Sequence, residues 1–360
     1  MRFQQEWIIC GSELSPFTLK LIALCQYKGL PYRLLPAEGG SFENAKVLLR
    51  KTLLVRGHLP LLWPQVDEKD EYPLVPFLFG PNKENLYDSS AIAQWLDRHS
   101  PCAGKNFVIP DAHTPEHFLC HVIDEFADEW GLYLVQHKRW KISAEDNTAG
   151  RRLAYELRTL IGPFQPLYAS WFSRRQVRRM PYLFSVAMDS EPLAGVPLLL
   201  QPPERLGFPA THHLLEKSFD NLLAALEERL LMSPYLLGTQ FTLADASIYG
   251  QLAMNLKDPT ACCWIKEVSP NVYDWLRRLE VGNFAEPKNG APRGDNGFRL
   301  DATLASLLSE ICKSYVPLMS QNYAAWKAHC HRGVTEFNEA AFWKNNALFD
   351  GDIGGQPYRS

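Results

Sequence analysis

Between residues 74 and 97 the hydrophobic pattern changes period. Leu74, Val75, Phe77, Leu78 and Phe79 form a short apolar run, the pattern of a buried strand. Gly80, Pro81 and Asn82 break it as a turn does. Leu86 and Tyr87 are the remnant of a second strand. From Asp88 the spacing becomes helical: Asp88 stands at a cap position, and Ile92, Trp95 and Leu96 make the apolar face. Two details point beyond folding. Pro76 interrupts a strand that otherwise reads as buried, although proline cannot donate to a ladder. A strand edge with a cis Val75–Pro76 bond accommodates it and leaves the Val75 backbone to pair with a ligand. Asp88-Ser89-Ser90 opens a helix, where unpaired N–H groups and the dipole suit a carboxylate. A peptide-like ligand would then run from Val75 to Ser89. The same residues also fit a bulge at Pro76 and a simple cap at Asp88.

Upstream, Glu6 to Cys10 reads as a strand. Ser15-Pro16-Phe17 opens a helix with a good N-cap and proline at its first position. Leu19, Ile22, Ala23 and Tyr27 continue its face, Gly29 ends it, and Pro31 to Leu35 form the next strand. Strand, helix, strand within about 30 residues is a βαβ unit. About forty residues then separate Leu35 from the Pro76 strand, with a helix expected near Phe42–Arg50 and a Pro-rich covering loop after it. Lys51, Arg56 and His58 are cations in this region suited to a ligand's second carboxylate.

The second half is helical. Residues 100–110 are a linker. Thr114-Pro115 opens a helix to about Trp140 that places Trp130, Tyr133 and His137 at spacings of three and four. Further helices are expected over Asn147–Leu160, Gln165–Met180, Ala210–Met232 and Asn271–Leu279, with a Pro-rich connector before Ala210. Gly238 precedes Phe241-Thr242-Leu243-Ala244-Asp245, in which Thr242 caps a helix and Asp245 reaches back to its N–H. A Gly/Pro/Asn-rich linker covers 281–297. A long helix from Asp301 to about Trp326, bent at Pro317, and an irregular tail complete the chain.

Composition narrows the choices. The 360 residues suffice for two domains. A net charge of -3 gives no general attraction to nucleic acid or membrane, and no apolar stretch reads as a signal peptide or membrane span. The eight cysteines are scattered without a CxxC, as expected of reduced thiols in the cytoplasm. His117, Cys120 and His121 share a helical face, but spacing fixes no fourth ligand, so no metal is expected. The basic cluster Arg174–Arg179 reads as a solvated helix face.

Val75-Pro76 followed by Asp88-Ser89-Ser90-Ala91-Ile92, with KGLPYRLLP at the first crossover and the Gly238…Thr242–Asp245 module, resembles the glutathione transferase family. The resemblance covers residues 5–100 and 210–280. It implies an α/β thioredoxin-like N-terminal domain (5–100) that binds glutathione and an all-α C-terminal domain (110–281) with an insert near 145–208. Residues 282–360 extend beyond a usual member. It also implies a homodimer and glutathione as co-substrate, with no metal.

The family's chemistry is activation of a thiol. A free cysteine thiol titrates near ~8.5, and a hydroxyl donor at a helix N-terminus lowers that value. Ser15 stands at this position. Ser15-Pro16-Phe17 looks like the Cys-Pro-Phe of the omega-like branch with serine in place of cysteine, and Ser12 is the alternative donor. Serine favours conjugation over mixed-disulfide exchange. The resemblance implies a glutathione site of Phe17, Val75, Pro76, Asp88, Ser89 and His58. A hydrophobic electrophile is expected against Trp130, Tyr133 and His137, between the domains. A binding or scaffold protein without turnover, and a glutathione-dependent lyase or isomerase, fit the same sequence.

Overall fold

The computed structural model describes residues 6–64, 75–99, 106–183, 212–284, 298–330, 350–353 and 356–359. Leu74, most of the Pro-rich loop, the connector before His212, most of the 281–297 linker and the start of the tail lie outside the described residues.

The N-terminal domain is built on β1 (Trp7–Cys10), α1 (Pro16–Tyr27), β2 (Tyr32–Leu35), α2 (Ser41–Val55), β3 (Phe77–Phe79), β4 (Asn85–Tyr87) and α3 (Ser89–His99). The sheet order is β2-β1-β3-β4. β1 and β2 are parallel, whereas β3 runs against β1 and β4 against β3. This is a thioredoxin-like sheet, and the βαβ unit lies where the sequence places it. The register sets its polarity. Cys10 pairs with Leu35 and with Phe77, and Phe77 pairs with Tyr87. The ends of β1, β2 and β4 and the start of β3 therefore meet at one end of the sheet. The segments just beyond these strand ends, 11–15, 36–40, 75–76 and 88–89, gather there.

The helical domain contains α4 (Pro115–Phe126), α5 (Leu132–His137), α6 (Ala149–Glu156), α7 (Arg158–Ile161), α8 (Gln165–Leu183), α9 (His212–Met232), α10 (Leu243–Asn255), α11 (Pro259–Val268) and α12 (Pro270–Glu280). α4 and α5 form one rod with wide π turns at 127–131 and 138–142. Every residue of α10 is buried, which its run of small and apolar side chains permits. The capping box forms as read: Asp245 Oδ2 accepts the Thr242 N–H at 3.0 Å, and Oδ1 accepts that of Leu236 at 2.8 Å. The expected long helix after Asp301 is two helices, α13 (Ala302–Lys313) and α14 (Tyr315–Cys330), divided at Ser314 rather than bent at Pro317. The last residues, expected to be irregular, contain β5 (Asp350–Ile353) and β6 (Gln356–Arg359), an antiparallel pair.

The two domains meet chiefly through α1 on α10. A Cβ on Gly250 of α10 would lie 2.5 Å from the Pro16 carbonyl oxygen and 2.8 Å from Lys20 Cβ, so only glycine lets the first turns of α1 approach. Lys20 is buried in this seam. Its Nζ donates to Asp124 Oδ1 and Asp128 Oδ2, both at 2.6 Å, and to Ser90 Oγ at 2.7 Å. Burial alone would lower the Lys20 pKa, but Asp124 and Asp128 hold it above its ordinary value.

Candidate functional site

The loop from Gly11 to Ser15 carries both hydroxyls singled out in the sequence. A Cβ at Gly11 would meet Thr18 Oγ1 at 2.5 Å, so glycine lets the loop close onto α1. Thr18 Oγ1 then accepts the Ser12 N–H at 3.4 Å. Ser12 Oγ accepts the Leu14 N–H at 3.1 Å, and Ser15 Oγ accepts the Thr18 N–H at 3.4 Å as the N-cap of α1. A hydroxyl that accepts still carries its own proton. The Ser12 hydroxyl lies against the Glu156 carboxyl, where it opposes the rise in pKa that burial causes, whereas Ser15 retains a donor. Phe17 follows in the first turn and is half-buried.

The helical domain fixes this loop from the other side. The buried guanidinium of Arg139 donates to the Leu14 carbonyl oxygen at 3.2 Å, to Asp258 Oδ2 at 2.8 Å and to the Met254 carbonyl at 2.7 Å. Glu156 Oε1 accepts the Glu13 N–H at 3.1 Å. The sequence gives no hint of either contact, because both join residues more than a hundred positions apart.

At the same end of the sheet, Val75–Pro76 is cis, as the sequence reading proposed, and lies immediately before β3. Val75 makes no backbone hydrogen bond among the described residues. Beside it, Asp88 has φ +63°. Its Oδ1 accepts the Ala91 N–H at 2.8 Å, while the carboxylate is exposed. Ser89 is buried at the first position of α3, where backbone N–H groups have no partner within the helix.

Two expected parts fall elsewhere. α2 starts at this end of the sheet and runs away from it for 15 residues, roughly 22 Å. His58 and Arg56, exposed just beyond its last turn, are therefore at the far end of the sheet from Ser15. Lys51 is nearer: its Nζ lies 5.9 Å from the centre of the Phe77 ring. Burial lowers the Lys51 pKa against the pull of Cys10. Burial also pushes the Cys10 thiol up to about 11, the behaviour of a packed, unreactive cysteine.

The second correction concerns Trp130, Tyr133 and His137. All three are buried in the helical core. Trp130 Nε1 donates to Ser218 Oγ at 2.8 Å, its ring meets that of Tyr133 edge to face, and His137 stacks on His212. The three do share one side of the rod, as the Trp130–Tyr133 contact shows, but that side packs on Ser218 and His212 of α9 and is turned into the core. Cys120 is also turned inward and its thiol is pushed up to about 12 by burial, whereas His117 and His121 are half-exposed and meet edge to face.

The open space beside the serine loop has other walls. A cavity of about 970 Å³ lies between Glu13 and Leu14 on one side and α6 and α8 on the other. Ala154, Tyr155, Pro166 and Ala169 give it apolar surface, and Glu13, Arg151, Arg152 and Glu156 are its charged residues. None of Trp130, Tyr133 and His137 lines it. The walls come from residues 145–183, the part of the helical domain that the sequence patterns described least.

Comparison with known proteins agrees with this architecture. Residues 9–105 match the family model of the glutathione S-transferase N-terminal domain, and residues 209–278 match that of the glutathione S-transferase C-terminal domain. The fold is therefore that of a glutathione S-transferase: a thioredoxin-like domain followed by a helical one. The cavity-forming α6 and α8, and all residues after 278, fall outside both matches. No curated protein matches the chain. Among solved structures, the chain is similar to a glutathione S-transferase from Methylobacillus flagellatus KT with glutathione bound, at 15% identity over 78% of this chain and 100% of that one, TM-score 0.41. It is similar to the beta-etherase LigF from Sphingobium sp. strain SYK-6 at 18% identity, over 86% and 99%, TM-score 0.44. It is also similar to a glutathione S-transferase of Ceriporiopsis subvermispora in complex with glutathione at 17% identity, over 79% and 99%, TM-score 0.45.

Proposed function

We propose that this protein is a glutathione transferase that holds glutathione across the end of the sheet and stabilises its thiolate for attack on a hydrophobic electrophile. One observation carries the reading: the Ser15-capped start of α1, Val75–Pro76 and the Asp88–Ser89 start of α3 converge at one end of one sheet. Each piece suits a different part of a tripeptide. Val75 offers backbone pairing in the manner of an added strand. The first N–H groups of α3, with Ser89 and Ser90, receive the γ-glutamyl carboxylate, and the exposed Asp88 carboxylate faces the amine. Phe17 packs against the ligand from the first turn of α1. Lys51, rather than His58, is the cation positioned for the remaining carboxylate.

The thiol is then left at the Ser12–Ser15 loop. A hydroxyl donor and the positive end of α1 both favour its ionised form. Ser15 is the stronger candidate because it sits on the helix axis, and Ser12 is the alternative. The second substrate occupies the cavity walled by α6 and α8, and the homodimer expected of such enzymes completes the assembly.

Calorimetric titration with glutathione, paired with conjugation assays on wild type, Ser15→Ala and Ser12→Ala, tests the reading. Binding with turnover that collapses in one serine variant is the expected result. An absence of binding at millimolar glutathione contradicts it. Binding without turnover of any electrophile would instead identify a binding or scaffold protein. Sedimentation velocity checks the dimer.

A further inference from the structure

α8 has an outer face that the packing of the helical domain does not use. Its inner side carries Ala169, Val177 and Met180, all buried. The opposite side is a stripe at helical spacing: Phe164 in the turn that opens the helix, then Leu167, Trp171, Arg174, Arg175 and Arg178. It runs for roughly 21 Å. Phe164 is 64% exposed, Leu167 70% and Trp171 49%. Three large apolar side chains on one solvent-facing stripe form a patch rather than a scatter, and such patches mark interaction sites. α8 lies outside both family matches, so the family pattern does not account for this face.

The second half of the stripe is cationic. Arg174 and Arg178 are exposed, and neither is paired with a carboxylate among the described residues. Arg174 donates within the helix, to the Ser170 carbonyl oxygen at 3.2 Å. Arg175, half-buried, holds its guanidinium 5.6 Å from the centre of the Trp171 ring, and the Tyr168 ring meets the same tryptophan. The apolar and basic parts are therefore one continuous surface. No Asp or Glu occurs between Gln165 and Leu183, so nothing on the helix offsets the charge. The net charge of -3 gives the whole molecule no general attraction to anions, which confines the effect to this stripe.

We propose that the outer face of α8 docks this protein on the surface of a bilayer containing anionic lipids. The stripe is the convex crest of one helix and has no groove to grip a peptide, whereas a bilayer moulds to a convex face. Phe164 and Leu167 suit the boundary between headgroups and acyl chains, and Trp171 suits the headgroup level. The arginines reach lipid phosphates while their stems lie along the apolar surface. A second copy on the same face would bring three arginines from each chain together with no acid on either helix to answer them. No helix among the described residues is long and apolar enough to cross a membrane, so the contact is adsorption rather than insertion. Nothing in this surface depends on glutathione, and its test stands apart from that of the thiol chemistry.

Vesicle co-sedimentation of the full chain tests the proposal, with phosphatidylcholine alone and with phosphatidylcholine mixed with phosphatidylserine. Wild type should bind the mixed vesicles, leave the neutral ones, and lose binding as salt rises. Each of Arg174→Gln and Arg178→Gln should weaken partition by about fivefold, and Leu167→Glu by about tenfold or more. All three positions are exposed, and melting curves confirm that the variants stay folded. Vesicles brominated on the acyl chains should quench part of the tryptophan emission, and Trp171→Phe should remove that part. Equal binding to neutral and mixed vesicles, or none to either, overturns the proposal on wild type alone. Binding that all the variants retain would place the contact on another face and overturns it equally. So would indifference to vesicles combined with self-association that Leu167→Glu abolishes in sedimentation velocity, since the occupant would then be a second copy.

Discussion

Ser15 opens α1 in the N-terminal domain and Glu156 ends α6 in the helical domain, and each has a consequence measurable at a single side chain. Ser15 Oγ is a distant cap for α1, at 3.4 Å from the Thr18 N–H. Ser15→Ala should therefore cost about 1 kcal/mol or less in stability. Loss of a donor to the thiolate should lower kcat/KM by about a hundredfold. Denaturant melts and steady-state kinetics on the same sample separate the two effects. Glu156 links to pH. Its folded pKa, about 7, lies above its ordinary value of 4.5. The folded chain thus binds this proton more tightly than the unfolded chain. The associated stability is complete below about pH 4.5 and is lost as pH rises through about 7. Glu156→Gln should flatten that part of the stability–pH curve, and melting temperatures across the interval report it. An unchanged slope would place the proton elsewhere.

At the scale of elements, the seam between α1 and α10 decides whether the serine loop is held. Gly250 has no room for a side chain against the Pro16 carbonyl. Gly250→Val should destabilise by about 1–3 kcal/mol or more. It should also raise the KM for glutathione by lifting the start of α1 off its support. Thermal melts and kinetics check both. The elements themselves were largely readable. Ser15-Pro16 marks a helix start, and Thr242 with Asp245 marks another, because caps are local chemistry written within a few residues. The Val75–Pro76 and Asp88–Ser89 features were legible for the same reason. What failed was placement over distance. Trp130, Tyr133 and His137 do share a side of their rod, but it packs on Ser218 and His212 of α9 rather than lining a cavity. His58 was assigned to the ligand from sequence proximity, but α2 carries it to the far end of the sheet. Glu156 and Arg139 were not singled out, because their importance lies in contacts to Glu13 and Leu14 made only in the folded chain.

For the molecule as a whole, the domains are joined by charge as well as by packing. Lys20 lies buried between Asp124 and Asp128 and also contacts Ser90 of α3. Lys20→Met leaves two buried carboxylates without their cation and should cost about 3–5 kcal/mol at neutral pH. The loss should shrink on acidification, since protonation removes the uncompensated charge, and paired denaturation curves at neutral and mildly acid pH would show it. A loss independent of pH would mean that the pair adds packing alone. The same seam joins the sheet end that carries the serine loop to the helical domain, so the proposed binding and reaction both depend on one interface. The most direct measurement is the ultraviolet titration of the thiolate of bound glutathione. Bound thiol should ionise below the ordinary value of about 8.5, and Ser15→Ala should return it toward that value. A bound thiol that titrates like the free one, or no saturable binding at all, would contradict the account.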